Sequence, residues 1–402
     1  MRIQHLSLTN FRNFARLEAD LPEGPLVLVG GNAQGKSSFL EAIYYLATSR
    51  SPHAASDRQL INWLADEDVL PYARLGAEVV SRGKKLTRIE ITLVKEQDAD
   101  GERLNKTINV DRLKRRAMDL LGRLNVVLFV PQDMALVEGA PADRRQYLNV
   151  TLCQTDPDYC RALSEYEKII TQRNALLKRI KDGMARVDEL DYWDEQAATN
   201  GAVLVAGRQK LLRELEGLAQ RVHRELTGGD EHLALRYLPS FTPAANSAGQ
   251  LSFNAVGLDL HRQLDPKDIA PQFRAALGVD RRQEIDRGVT LAGPHRDELR
   301  FDINGRDVGH YGSRGQARTT VMALKLAELH WMRETIGEWP VLLLDEVVAE
   351  LDARRRGYLL EQVTRVNQAV LATTETGLFT GEFLARAALW RVEAGQITTG
   401  GA

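Results

Sequence analysis

The sequence predicts an α/β fold, with a mixed sheet and an antiparallel sheet split along the chain by an inserted α-helical arm, and three stretches predict it. An apolar run at 26–29 leads into GGNAQGKS at 30–37 and then into a helix. A second apolar run, 341–344, ends in two acids, Asp345 and Glu346. Between these runs, from Tyr159 to Val222, apolar residues recur at helical spacing over two long segments.

The chain of 402 residues, 44% hydrophobic and 27% charged, has the composition of a soluble globular protein of two or three domains. Its net charge of −2 excludes an overall polycation, so any nucleic-acid surface is a local patch. Cys153 and Cys160 lie at no zinc spacing and read as reduced core thiols. No run approaches the roughly 20 apolar residues of a membrane span. No membrane partner is expected, and the expected location is the cytoplasm, on the nucleoid.

Residues 1–14 alternate apolar and polar and predict a strand, with a turn at Asn10 to Asn13 and a second strand after it. The glycine-rich stretch that follows 26–29 is a phosphate-binding loop by residue type. A triphosphate requires backbone N–H groups on a loop free of side chains, with the positive end of a helix behind it. Gly30 and Gly35 allow the curl, Asn32, Ala33 and Gln34 fill the loop, and Ser38 follows it. Lys36 reaches the terminal phosphates of ATP, and the Ser37 hydroxyl ligates Mg²⁺.

Residues 75–80, 86–94 and 107–110 predict antiparallel strands. From 81 to 116 the chain carries eleven Lys or Arg against six Asp or Glu. Two readings stand: solvated faces, or a surface contacting the phosphate backbone of DNA through Lys84, Lys85, Arg112, Lys114, Arg115 and Arg116. The apolar run 126–130 predicts a buried strand that leaves Gln132 at its terminus.

Asp156 and Pro157 cap a helix whose apolar residues follow heptad spacing to Met184, broken by Arg173 at one seam position. A second helix is expected over 188–226, ended by Gly228 and Gly229. The pair is either a partner-binding coiled coil or a helical subdomain with its own core; Tyr166 and Trp193 favour the subdomain. A mobile connection is expected over 240–252. Helix is expected over 273–286, and a hairpin about Asn304 and Gly305. The expected segments are therefore 1–150, an arm over 151–270, and 271–402.

At the end of the strand 341–344, Asp345 is placed to hold Mg²⁺ and Glu346 to orient or deprotonate an attacking water. Ser313, Arg314, Gly315 and Gln316 open a helix over 317–333, a second anion site by hydroxyl, backbone N–H and helix dipole. One chain with two phosphate-facing termini implies that a second copy completes the site, with ATP between them.

These residues together resemble the ABC-type ATPase head of SMC-like DNA-repair proteins. The phosphate loop pairs with Gln132 at the Q-loop position, SRGQ at 313–316 as signature, Asp345 with Glu346, and AELD at 349–352 as D-loop. More closely, the chain resembles the RecF family through NFRNF (10–14), SRSPHAASDRQLI (49–61), EGAPADRRQYL (138–148), GPHRDEL (293–299) and DEVVAELDARRRGYL (345–359). The resemblance implies an ABC-type P-loop ATPase head and an ATP-dependent homodimer on double-stranded and gapped DNA. It further implies work with RecR and RecO and loading of RecA. In site terms it implies Glu346 as catalytic base; Lys36, Asp345 and Gln132 at the reacting phosphate and metal; Ser313, Gly315, Gln316 and Asp352 against the partner's ATP; and Arg12 near the nucleotide. No histidine stands at 371–375, so the γ-phosphate sensor falls to Thr373 or Thr374, and hydrolysis is expected to be slow, not much above about 1 s⁻¹. A small-molecule kinase and a transporter subunit are the competing readings; SRGQ and AELD disfavour the first, the arm and basic sheet the second.

Overall fold

The computed structural model describes residues 1–67, 70–98, 101–242, 260 and 264–399. They form two compact units, residues 1–133 with 328–399, and residues 134–327.

The first unit is built on two six-stranded sheets. β1 (Arg2–Phe11) and β2 (Phe14–Asp20) form a tight hairpin in register Phe11↔Phe14, turned by Arg12 at φ 53°. β4 (Tyr72–Ser81), β5 (Lys85–Asp98), β6 (Gly101–Val110) and β7 (Leu113–Arg115) extend it, all antiparallel, in the order β2-β1-β4-β5-β6-β7. The alternation of apolar and polar residues on β1 and β4 buries one face, with Ile3, Leu6, Leu8, Leu75 and Val79 inaccessible.

The second sheet contains β3 (Gly24–Val29), β8 (Val126–Phe129), β12 (Val341–Asp345), β13 (Gln368–Thr373), β14 (Ala388–Glu393) and β15 (Gln396–Thr399). Its order is β15-β14-β3-β13-β12-β8, parallel apart from the β14–β15 hairpin. The strands that read as unbroken apolar runs are buried on both faces, which is why they do not alternate. The helix Lys36–Thr48 contacts strands of both sheets and is buried nearly all round, from Phe39 to Ala47. A parallel sheet gathers the carboxyl ends of β3, β8, β12 and β13 at one edge, and there the phosphate loop, Gln132, Asp345 and Thr373 emerge.

The second unit is mainly helical: Pro141–Cys153, Pro157–Lys181, Leu190–Thr227, Pro266–Val279 and Arg281–Arg287. Asp156 caps the second of these through bonds of 2.9 and 3.0 Å. The helix Leu190–Thr227, 38 residues, is about 57 Å long. β9 (Leu233–Leu238), β10 (Glu298–Ile303) and β11 (Arg306–Asp307) form a small antiparallel sheet turned at Asn304 and Gly305, both at positive φ.

The seam-breaking Arg173 has a physical account. It is fully buried and bonds Asp194 at 2.8 Å, Glu284 at 2.6 Å and Thr290 at 2.9 Å. Asp194 lies on the facing helix, whereas Glu284 and Thr290 come from outside the pair, so the two helices share a larger buried core that includes Ile269 and Phe273. Met184, expected on the seam, lies past the helix end at Lys181 and is 64% exposed. The two compact units divide at 133 and 327, and the helix Pro141–Cys153 and the β9–β10–β11 sheet pack with the helical segment. Of the connection expected over 240–252, residues 243–252 lie outside the described residues.

Candidate functional site

The phosphate loop has a shape that only its glycines permit at two points. A Cβ on Gly30 would stand 2.2 Å from the Val392 carbonyl oxygen, and Gly35 has φ 115° with the Phe14 ring 3.3 Å from where a Cβ would be. Gln34 ties the loop to the β14–β15 hairpin: its Oε1 accepts from Ala394 N at 2.7 Å and its carbonyl from Gly395 N at 3.0 Å, while its Nε2 donates to the Asn32 carbonyl at 3.2 Å. The other loop residues bound a cavity of about 230 Å³ lined by Asn32, Ala33, Gly35, Lys36, Ser37 and Ser38, with Asn13 and Glu346.

Lys36, 3% exposed, donates to the carbonyls of Gly30 at 2.9 Å and Gly31 at 2.8 Å and pairs with Glu346 at 3.1 Å. The amine is thereby held at the bottom of the loop. Ser37 donates to Asp345 Oδ1 at 2.9 Å, a contact spanning 308 residues. Burial pushes the Asp345 carboxyl up from its ordinary pKa, an effect the Ser37 hydroxyl opposes. A hydroxyl and a buried carboxylate side by side, with a cavity open to phosphate, is a donor set that fits Mg²⁺, which takes one or two protein oxygens and completes its shell from phosphate and water. Among the described residues no cluster of three His, Cys, Asp or Glu is placed to hold a metal unaided. Glu346 itself sits at φ 54°, left-handed for a non-glycine residue, so the backbone beside Asp345 is strained.

Four other predicted residues do not line this cavity. Arg12 is not among the cavity-lining residues; it forks onto the buried Glu41 at 2.8 Å twice and donates to the Gln59 carbonyl at 3.0 Å. Gln132 is exposed on the short 3₁₀ turn Pro131–Met134. Thr373 is buried and donates to the Glu375 carbonyl at 2.9 Å, whereas Thr374 is exposed.

Two residues reach the site without having been singled out. Asn13 bridges the loop, accepting from Ser38 Oγ at 2.9 Å and donating to the Ala33 carbonyl at 3.3 Å. His53 Nε2 stands 4.0 Å from Asp345 Oδ2. Its loop is pinned by Ser51, which donates to Glu41 at 2.5 Å and accepts from His53 N at 2.9 Å and Ala54 N at 2.7 Å. Both lie inside motifs already quoted, so the signal was present as proximity to Arg12 and Ser49.

In the second unit, Ser313 and Gln316 cap the helix Arg314–Ile336 reciprocally, Gln316 N to Ser313 Oγ at 3.2 Å and Ser313 N to Gln316 Oε1 at 2.9 Å. Gln316 is held from behind by Glu231 at 2.7 Å. Ser313, Arg314 and Gly315 are exposed, and a Cβ on Gly315 would meet only Ser313 Oγ at 3.8 Å. In the first unit, Asp352 caps the helix Ala353–Arg365 through Arg355 N at 2.9 Å, and that hydrogen bond holds its carboxyl below the usual range.

The basic stretch is divided between charge that is turned inward or paired within the sheet and charge that is exposed. Lys106 turns inward to the Ser49 carbonyl at 2.8 Å and Asp57 at 3.0 Å, and Arg88 pairs with Glu78 at 2.8 Å. Lys85, Arg112, Lys114, Arg115 and Arg116 are exposed, four of them on or beside the edge strand β7. The side chain of Lys84 lies outside the described residues. No helix among the described residues is long and apolar enough to cross a membrane.

A family model described as the RecF/RecN/SMC N terminal domain matches residues 2–386. The DNA replication and repair protein RecF of Chloroflexus aggregans (strain MD-66 / DSM 9485) is 42% identical over 410 residues, covering 100% of both chains. That of Bacillus subtilis (strain 168) is 36% identical over 399 residues, covering 99% of this chain and 100% of its own. A solved structure of the recombination mediator protein RecF-ATPrS in the RecFOR pathway superposes with TM-score 0.83 at 29% identity, covering 100% of this chain and 98% of that one. A Pyrococcus furiosus Smc head domain, TM-score 0.51 at 14% identity, shares the fold. The ABC-type P-loop head expected from the sequence is thus the fold found, and the chain belongs to the RecF family within the RecF/RecN/SMC ATPases.

Proposed function

We propose that this chain is an ATP-dependent DNA-binding protein of recombinational DNA repair in which ATP, with Mg²⁺, joins two copies on double-stranded DNA beside a single-strand gap. The observation that carries the reading is the pairing, in one chain, of a small phosphate-loop cavity and an exposed, already capped signature helix. At about 230 Å³ the cavity falls short of the roughly 300–1,000 Å³ of pockets that enclose a ligand alone. It offers phosphate and metal contacts on one side, through Lys36, Ser37 and Asp345. Ser313, Gly315 and Gln316 of the second copy close it, and Asp352 crosses that interface.

In this reading Lys36 leaves the Gly30 and Gly31 carbonyls for the terminal phosphate, Ser37 and Asp345 hold the metal with Gln132, and Glu346 takes the proton of the attacking water. Mg²⁺ supplies charge neutralisation at the β- and γ-phosphates. Hydrolysis is slow and stimulated by DNA, so ATP acts as a switch, with Thr373 or Thr374 sensing the γ-phosphate. The relatives' name as DNA replication and repair proteins, and the RecFOR pathway of the solved structure, support RecR and RecO as partners; RecA loading as the outcome rests on the family resemblance. Another chromosome-maintenance role for an SMC-like head is the second reading, supported by the shared fold.

Sedimentation of Glu346→Gln tests the central step. With ATP and a gapped duplex the variant sediments as a dimer, and without ATP as a monomer. A monomer in both conditions removes the two-copy site.

A further inference from the structure

Two stretches of the sequence, at 138–148 and 293–299, are absorbed neither by the nucleotide cavity nor by the signature helix, and in the second unit they meet. Arg144 forks onto Glu298 at 2.7 and 2.9 Å, and Arg145 donates to the Asp297 carbonyl at 2.9 Å. Behind them Arg208, 2% exposed, donates to the Pro294 carbonyl at 2.6 Å, the Tyr159 hydroxyl at 3.1 Å and Asn149 Oδ1 at 3.0 Å. Its carboxylate partner is Asp297, at 3.3 Å.

A cavity of about 380 Å³ opens beside this cluster. Leu163, Ile170 and Leu204 form its apolar wall, and Arg145, Asn149 and Arg208 its polar one. The two adjacent arginines of the first stretch differ in a way that packing alone does not require. Arg144 is satisfied by a bidentate carboxylate, whereas Arg145 has no carboxylate partner among the described ion pairs. Burial depresses the basicity of Arg145, and the nearby Arg208 and Arg296 depress it further against the pull of Asp297 and Glu298. Both of those acids are already engaged, Asp297 with Arg208 and Glu298 with Arg144.

Asn149 is oriented for the same task. Its Oδ1 accepts from both Tyr159 at 2.7 Å and Arg208 at 3.0 Å, which fixes its flip, and among the described hydrogen bonds Nδ2 has no partner. His295 adds no charge, because burial holds its pKa down to about 4. The one acid on the lining, Glu167, is exposed at the rim. Two guanidinium groups against one buried carboxylate leave one positive charge that favours an anion, and planar guanidinium donors match phosphoryl oxygens. The volume lies in the range of small-ligand pockets and leaves space beyond a phosphoryl group, over the apolar wall.

We propose that this cavity binds a phosphate monoester, with Arg145 as its principal cation and Asn149 as a hydrogen-bond donor. The ester is carried either by a small molecule of mononucleotide size or by the terminal phosphate of a nucleic-acid strand.

The test uses the whole chain carrying Lys36→Ala, so that the phosphate loop does not compete, titrated calorimetrically with inorganic phosphate and with AMP. One site is expected, and adding Arg145→Gln weakens it by roughly tenfold to a hundredfold, the loss of a charge-assisted bond. Thr171→Glu, on the exposed rim and outside the buried network, places a carboxylate at the mouth and gives a comparable loss with an unchanged unfolding midpoint. No binding in the parent, or equal binding in parent and both variants, overturns the site. Short duplexes with 5′-phosphorylated or 5′-hydroxyl ends separate the sources. A tenfold preference for phosphate that Thr171→Glu abolishes assigns a strand end, and AMP binding with no such preference assigns a small molecule.

Discussion

Replacing Gly30 by alanine isolates the shape of the phosphate loop from its chemistry. The new methyl group would stand 2.2 Å from the Val392 carbonyl oxygen, whereas ordinary contact begins at 3.4 Å. Either β14 or the loop must therefore retreat by about 1.2 Å, the difference of those distances, and backbone cannot rotate aside as a side chain does. Overpacking of this kind costs about 1–3 kcal/mol of stability. The larger effect falls on the nucleotide, because Gly30 and Gly31 supply the carbonyls that position Lys36, and a displacement near 1 Å reduces rate by roughly a hundredfold. Gly31→Ala is the matched control: a Cβ there meets only Gln34 Cγ, at an ordinary 3.7 Å. ATP affinity and single-turnover hydrolysis measured on both variants, with thermal unfolding alongside, should show a large loss for Gly30→Ala and less than about threefold for Gly31→Ala. Equal losses would refute the steric argument.

Three further outcomes follow from features of each unit. Arg173→Met leaves Asp194 and Glu284 buried without their cation and should destabilise by about 3–5 kcal/mol in urea unfolding; a change below about 1 kcal/mol would mean water replaces the guanidinium. His295 has a folded pKa of about 4 against an ordinary 6.5, so its contribution is complete above pH 6.5 and is lost as pH falls toward 4. Between pH 6.5 and 5 that is about 2 kcal/mol, and His295→Asn should flatten this part of the stability profile; an unflattened profile refutes the assignment. Lys114, Arg115 and Arg116 replaced together by Ala should lower the salt slope of DNA binding by up to about three, and an unchanged slope would leave the edge strand with the more modest task of blocking strand addition.

The sequence revealed what depends on short-range backbone demands. A loop such as Gly30 to Ser37 is written in eight consecutive residues, and the strand before Asp345 in four apolar ones, because both requirements are local. Asn304 and Gly305 announced their turn for the same reason, since few residues accept two positive φ angles in succession. Arg12, by contrast, is tied to the nucleotide in sequence by resemblance alone, and its partner Glu41 is set by how the β1–β2 turn packs on the phosphate-loop helix. Arg173 registered only as a defect in a heptad. The carboxylates that make sense of it lie 21 and 111 residues away, and no periodicity encodes a buried ion network assembled from three segments. His53 comes from the loop after the phosphate-loop helix, far along the chain from the end of β13, where no histidine stands.

The brace between Gln34 and the β14–β15 hairpin bears on how the protein is made. Gln34 is held by residues 360 positions downstream, and β3 itself lies between β13 and β14. At roughly 5–20 residues per second, translation leaves the phosphate loop without its splint and its flanking strands for about 20–70 s. During that interval an emerging chain has the sequence of a nucleotide site without its shape, so ATP binding reports synthesis through the β14–β15 hairpin as much as completed folding, and chains broken off before residue 388 should not hold nucleotide.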